Sequence, residues 1–84
     1  MYKLTLYYFP SCPYCQYVLE ALDRLGLSVE LRDIHQSSDY SNKLVRDTGR
    51  RTVPCLYIDE KAMHESKDIV RWLEKNAEDI KKKN

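Results

Sequence analysis

Lys3-Leu4-Thr5-Leu6-Tyr7-Tyr8-Phe9-Pro10-Ser11-Cys12-Pro13-Tyr14-Cys15 is the stretch that decides the fold. Residues 3–8 are aliphatic and aromatic over a strand's length, which predicts a strand with both faces at least partly buried. Phe9-Pro10-Ser11 reads as a turn. Pro13 suits the first turn of a helix, where its missing N–H costs nothing. Val18, Leu19, Leu22 and Leu25 then recur at helical spacing, and Gly26 stands where a C-cap glycine belongs. Two cysteines two residues apart therefore sit where a strand hands over to a helix.

That placement carries chemistry. Cys12 falls at the expected N-cap, so its sulfur should face unpaired backbone N–H groups and the positive end of the helix dipole, both of which favour a thiolate. Cys15 follows on the same side of the first turn, within reach of the Cys12 sulfur. Cys12 is the expected nucleophile and Cys15 the buried resolving thiol. A stabilised thiolate is more abundant but intrinsically less nucleophilic, with a Brønsted slope of about 0.4–0.5, so the two effects nearly cancel on attack. The larger gain comes when such a sulfur departs from a mixed disulfide.

Working outward, residues 27–32 alternate apolar and polar as a half-exposed strand. Ser38 or Asp39 caps a second helix that runs to about Thr48, with Gly49 ending it. Residues 53–58 form a strand begun by Pro54. Asp59-Glu60-Lys61 is a turn, Ala62-Met63 a short return strand, and Ser66 the cap of a last helix with the stripe Ile69, Val70, Trp72 and Leu73. The order is β-α-β-α-β-β-α. Its first half is a βαβ unit with parallel strands, and its second half is a hairpin followed by a helix. An α/β fold follows, a four-stranded mixed sheet with three helices covering its faces.

The 84 residues make one small domain, 1–84, with residues 77–84 read as a polar C-terminal tail. A formal net charge of +1 gives no long-range attraction for nucleic acid. No apolar run approaches the roughly 20 residues of a membrane span. Met1-Tyr2-Lys3 leads straight into the strand with no signal-peptide pattern. Three cysteines are too few for a secreted disulfide framework, so a cytoplasmic location is expected.

Plainer readings of the same residues bound this one. A zinc site needs two more ligands, and Cys55, His35 and His64 lack ligand spacing, so no metal is expected. A structural disulfide between such near neighbours closes a tiny loop and stabilises little. Cys55 reads as a small core residue, His35 and His64 as exposed loop residues, and Tyr40 and Tyr57 as half-buried. Ser66 has a plain reading as a cap, and the arginines before Thr52 as solvated charges.

Cys-Pro-Tyr-Cys after a first strand, Thr52-Val53-Pro54 before a third, and a polar helix start at Glu65-Ser66 together resemble the glutaredoxins over roughly residues 3–75. The resemblance implies a thioredoxin-like fold in which Pro54 is a cis proline facing the cysteine pair. It implies that the Val53 backbone pairs with the cysteine of bound glutathione and that Tyr14 lines the groove. The γ-glutamyl end would lie at the start of the last helix, where N–H groups suit a carboxylate. There Ser66 and backbone amides would hold the carboxylate, while Asp68 or Glu65 meets the ammonium. This chain departs from the family twice. His64-Glu65 replaces a common Gly-Gly pair, and Glu65-Ser66 is more similar to the turn of glutathione transferase N-terminal domains. Phe9 stands where many relatives carry a lysine, and Arg50 or Arg51 is expected to supply the missing cation to the glycyl carboxylate, with Thr52 beside it.

What the resemblance implies is a monomeric, glutathione-dependent thiol–disulfide oxidoreductase. It would reduce protein disulfides and glutathione mixed disulfides through Cys12 and Cys15, with no bound cofactor and with glutathione as co-substrate. Its partners would be glutathione and disulfide-bearing protein clients. One rival is a glutathione-binding module, or an isolated transferase-like N-terminal domain without turnover. The absent second domain and the intact cysteine pair speak against transferase chemistry. The other rival is an iron–sulfur cluster carrier, which the stiff Pro13-Tyr14 link disfavours.

Overall fold

The computed structural model describes residues 2–83, with side chains through residue 81. The elements in chain order are β1 (Leu4–Tyr8), α1 (Pro13–Leu25), β2 (Glu30–Asp33), α2 (Ser38–Thr48), β3 (Cys55–Ile58), β4 (Lys61–Met63) and α3 (Ser66–Lys83). Strand order in the sheet is β2-β1-β3-β4. β1 pairs parallel with β2 in a register that sets Leu6 beside Leu31. It pairs antiparallel with β3, Leu6 facing Leu56 and Tyr7 facing Cys55, and β3 turns back antiparallel onto β4. This is the thioredoxin-like arrangement, and β1, with neighbours on both sides, is central to it.

Alternation along the strands divides the core in two. Leu4, Leu6 and Leu56 point to one face, where they meet Val18, Ala21 and Leu22 of α1 and Ile69, Val70 and Leu73 of α3. Tyr7, Cys55 and Tyr57 point to the other face, where Leu44 of α2 and Ile34 cover them. Two helices thus close one face and one helix the other, and this follows from the period of two in β1 and β3.

Gly26 ends α1 in the left-handed region (φ 69), with its N–H directed at the Asp23 and Leu22 carbonyls, and Gly49 does the same for α2 (φ 77). Three expectations need correction. The cap of α2 is Ser37, whose Oγ accepts from the Asp39 N–H at 3.2 Å, rather than Ser38 or Asp39. β2 begins at Glu30, three residues later than alternation suggested. The polar tail expected from residue 77 is helical as far as Lys83. Ile80, only 1% exposed, joins the larger core with Ala77 against it, while Asn84 lies outside the described residues. Ile80 lies two turns beyond Leu73 and continues the same stripe, so the lysine run after it did not mark the end of packing. No helix among the described residues is long and apolar enough to cross a membrane.

Candidate active site

The segment between β1 and α1 is held by its own hydrogen bonds. The Cys12 N–H donates to the Phe9 carbonyl (3.2 Å), the Cys12 carbonyl accepts from the Gln16 N–H (3.0 Å), and Gln16 Nε2 donates to the Pro10 carbonyl (2.6 Å). Cys12 is the N-cap of α1 with extended backbone (φ −82, ψ 118), and Pro13 opens the helix. All three cysteines are free thiols. Cys12 is 7% exposed and Cys15 fully buried, whereas Tyr14 between them is 67% exposed.

The sequence led us to expect the Cys12 sulfur to accept from first-turn amides, and it makes no such capping bond. The nearby thiol that it influences is Cys15. Burial raises the Cys15 thiol well above its ordinary range; the Phe9 backbone opposes this in part, and the neighbouring Cys12 thiol adds to it. The pair is therefore asymmetric. Cys15 holds its proton and is shielded, and Cys12 stands at the positive end of the helix.

The segment 51–54 shares a core cluster with Phe9 through Val53. Phe9 and Val53 both pack on the smaller core, so the residues before Cys12 and before Pro54 share one apolar cluster. The Val53–Pro54 peptide is cis, as the resemblance implies, and Pro54 is buried while Arg51 and Thr52 are exposed. Arg50, also exposed, bears on both Cys55 and His64.

At the start of α3 the assignment of caps changes. The Glu65 carbonyl accepts from the Ile69 N–H at 2.8 Å, so Glu65 is the N-cap and Ser66 the first helical residue. Glu65 and Asp68 are exposed and Ser66 half-buried. Asp68 lies 3.7 Å from Arg71 one turn on, an exposed pair that competes weakly for it. His64, expected to be exposed, is half-buried, and its Nδ1 is shielded without a hydrogen-bond partner.

Two features escaped the sequence reading. His35 stacks on Phe9 with ring centroids 4.5 Å apart, and no local pattern joins residues from different strands' ends. The Tyr57 hydroxyl donates to Asp47 (2.9 Å), which also holds Lys43 at 2.7 Å. Tyr57 is buried rather than half-buried as expected. Among the described residues no group of three or more His, Cys, Asp or Glu side chains could hold a metal ion.

A thioredoxin-like sheet presenting a dithiol at the first helix's N-terminus defines the class. Within it, residues 6–81 match the family model "Glutathione S-transferase, N-terminal domain". Glutaredoxin-1 of Oryctolagus cuniculus is 32% identical over 79 residues, covering 87% of this chain and 74% of that protein. A glutaredoxin of Vernicia fordii is 42% identical over 50 residues, 56% of this chain, and the match spans about half (48%) of that relative's length. A glutathione transferase homologue of "drosophilia mojavensis", solved with bound glutathione, superposes with a TM-score of 0.78 at 22% identity, over 92% of this chain but 36% of that one. The chain belongs to the glutaredoxin family and carries the features of a glutathione transferase N-terminal domain.

Proposed function

We propose that this protein is a dithiol glutaredoxin that reduces protein disulfides and glutathione mixed disulfides at the expense of glutathione. The observation that carries the reading is the asymmetry of the cysteine pair, with Cys12 at the helix end and Cys15 fully buried with its thiol raised. In the first step the Cys12 thiolate attacks one sulfur of a disulfide. A Cys12 mixed disulfide forms, and the other sulfur leaves as a thiolate that takes a proton from solvent. Bonding to a second sulfur removes the charge on Cys12, and with it one of the causes that keep Cys15 protonated. Cys15 then loses its proton, attacks Cys12 and expels the remaining substrate thiolate. Two glutathiones reduce the internal disulfide, each giving up one electron equivalent, and leave as glutathione disulfide. A glutathione can also resolve the Cys12 adduct without Cys15.

Glutathione is the assigned co-substrate because the chain belongs to a family that uses it, and because the transferase homologue of the same fold binds it. The extended tripeptide would run along Val53. Its γ-glutamyl carboxylate would lie at the amides of Ser66 and its ammonium at Glu65 or Asp68, with its glycyl carboxylate at Arg51 or Arg50. Tyr14 and Thr52 would border it.

Glutathione-dependent reduction of hydroxyethyl disulfide tests the reading. Wild type should turn over and Cys12→Ser should fall to background. Cys15→Ser should keep activity on the glutathione mixed disulfide while losing it on protein disulfides. Binding of glutathione with no Cys12-dependent turnover would instead leave a binding module of the transferase type, the alternative that the family match over residues 6–81 favours.

A further inference from the structure

Thr5, Tyr7 and Tyr57 share the face of the sheet that α2 covers, and α2 buries only Ser41 and Leu44 there. Between that helix and the strand ends at Lys3 and Asp59 lies a cleft of about 680 Å³, within the ~300–1,000 Å³ of small-molecule sites. It lies across the sheet from α1, the helix that carries the cysteine pair. Its floor holds hydroxyl donors that lack acceptors. The Tyr7 hydroxyl accepts from Arg32 Nη1 at 2.7 Å, and its own hydrogen meets no acceptor among the described residues, although Tyr7 is only 1% exposed. Thr5, 6% exposed, makes no side-chain hydrogen bond among the described residues. Lys43 lies 2.7 Å from Asp47 and 5.1 Å from the Tyr57 ring centroid, which leaves its ammonium two further donors. A ligand that satisfies this floor presents an acceptor, and an oxyanion is the acceptor that Arg32 and Lys43 favour.

The charges narrow the choice. Three cations of the lining, Lys3, Arg32 and Lys43, face three carboxylates, Asp47, Asp59 and Glu60. Glu30, which holds Arg32 at 2.6 Å without lining the cleft, adds one more negative charge. A dianion such as phosphate gains nothing from that balance, whereas a ligand with its own ammonium answers both signs. Lys3 apart, the signs are separated, with Asp59 and Glu60 at the β3–β4 turn. Asp59 is fixed there at φ 56, where its Oδ1 accepts from the Lys3 N–H and its N–H donates to the Lys3 carbonyl, both at 2.9 Å. Lys3 is two residues from Thr5 and four from Tyr7, so the acidic end stands roughly 7–13 Å along the strand from the two hydroxyls. That span is too long for a free amino acid, whose charged groups sit on one carbon, and suits an extended chain of two or three residues. We propose that this cleft binds a short zwitterionic peptide, its carboxylate on the Thr5 and Tyr7 hydroxyls between Arg32 and Lys43, and its ammonium at Asp59 and Glu60.

Amide shifts of the full chain, followed by NMR, test this with trialanine, its N-acetyl and C-terminal amide forms, free alanine and inorganic phosphate as probes. Trialanine should move the amides of Thr5, Tyr7, Tyr57 and Asp59 with a Kd on the order of 1 mM and leave those of Val53 and Ser66 in place. Blocking either charge should weaken binding about tenfold, and free alanine and phosphate should bind no better than the blocked forms. Thr5→Val keeps the side chain's shape without its hydroxyl and should raise the trialanine Kd about fivefold. Glu60→Gln, at an exposed position where folding is not at stake, should raise it about threefold. Trialanine that leaves these amides unmoved at about 50 mM, that binds no better than its N-acetyl form, or that moves only Val53 and Ser66 would overturn the proposal. Affinity unchanged in both variants would overturn it as well. Phosphate binding tighter than trialanine would make the cleft an anion site instead.

Discussion

Cys12, Cys15 and Cys55 are all buried, yet their thiols are not equivalent. Cys55 opens β3 opposite Tyr7, and burial pushes its thiol up to about 11 despite the opposing charge of Arg50. Cys15 is raised too, chiefly by burial. We therefore expect iodoacetamide at neutral pH to label native protein at one fast site, to lose that site in Cys12→Ser and to keep it in Cys15→Ser. Cys55 should react only on unfolding. Peptide mapping of the alkylated protein checks this, and a fast phase at Cys55 would reverse the roles argued above. Asp47 gives a second residue-scale prediction. Hydrogen bonds from Lys43 and Tyr57 hold its carboxyl below the usual range. A depressed carboxylate contributes stability that is present above its unfolded value, 3.8, and is lost as pH falls through the lower folded value. Tyr57→Phe removes one of those donors and should lower stability in urea unfolding at neutral pH. Its penalty should shrink toward zero as Asp47 protonates.

At the scale of elements, α3 is the informative case. It packs beside α1 through Ile69, Val70 and Leu73, and an Arg24–Glu74 pair at 2.9 Å bridges the two helices at the surface. Its last turns are also part of the fold, because Ile80 is 1% exposed. Ile80→Ala should destabilise the protein by about 2–3 kcal/mol, the lower part of the range for truncating a buried aliphatic side chain, since a helix end can partly collapse onto the gap. Lys81→Ala, one position on and exposed, should change stability by less than about 0.5 kcal/mol. Equal effects of the two substitutions in denaturant melts would mean that the last turns of α3 contribute no packing. Gly26 terminates α1 nearby at φ 69, and a Cβ there would meet the Lys81 side chain only at an ordinary 3.7 Å. The requirement for glycine is thus conformational rather than spatial, and Gly26→Ala should cost about 1 kcal/mol.

The whole molecule is unevenly covered. One face of the sheet carries two helices and the other carries α2 alone. α1 buries Cys15, Val18, Ala21 and Leu22, whereas α2 buries only Ser41 and Leu44. Local opening is easiest where least apolar surface is buried, so native-state amide exchange in α2 should be at least about tenfold faster than in the middle of α1. Comparable protection in the two helices would mean that the sheet and all its helices open as one unit. This asymmetry also places the candidate site, since Cys12 and Cys15 belong to the well-held helix and Arg50 and Arg51 follow the loosely held one. Acid adds to the imbalance. His64 titrates below its ordinary 6.5 because burial and Arg50 disfavour its charged form. Its contribution to stability is complete above that value and is lost as pH falls through the lower folded value.

The amino-acid sequence alone determined the order of elements and the meeting of strand, turn and cysteine pair. Each of those signals acts within a few residues: the aliphatic and aromatic run of residues 4–8, the helical spacing of Val18 and Leu22, Pro13 at a helix start, and Gly26 and Gly49 at helix ends. The same local logic placed the cysteines at the helix start, whereas the cis Val53–Pro54 peptide was expected only from the resemblance to the glutaredoxins. Only the tertiary structure decided that Ile80 packs, that Ser37 rather than its neighbours is the cap, that His35 lies on Phe9 and that the His64 Nδ1 is shielded. A side chain's burial and its partners depend on which distant segments arrive beside it, and no periodicity within one segment carries that information.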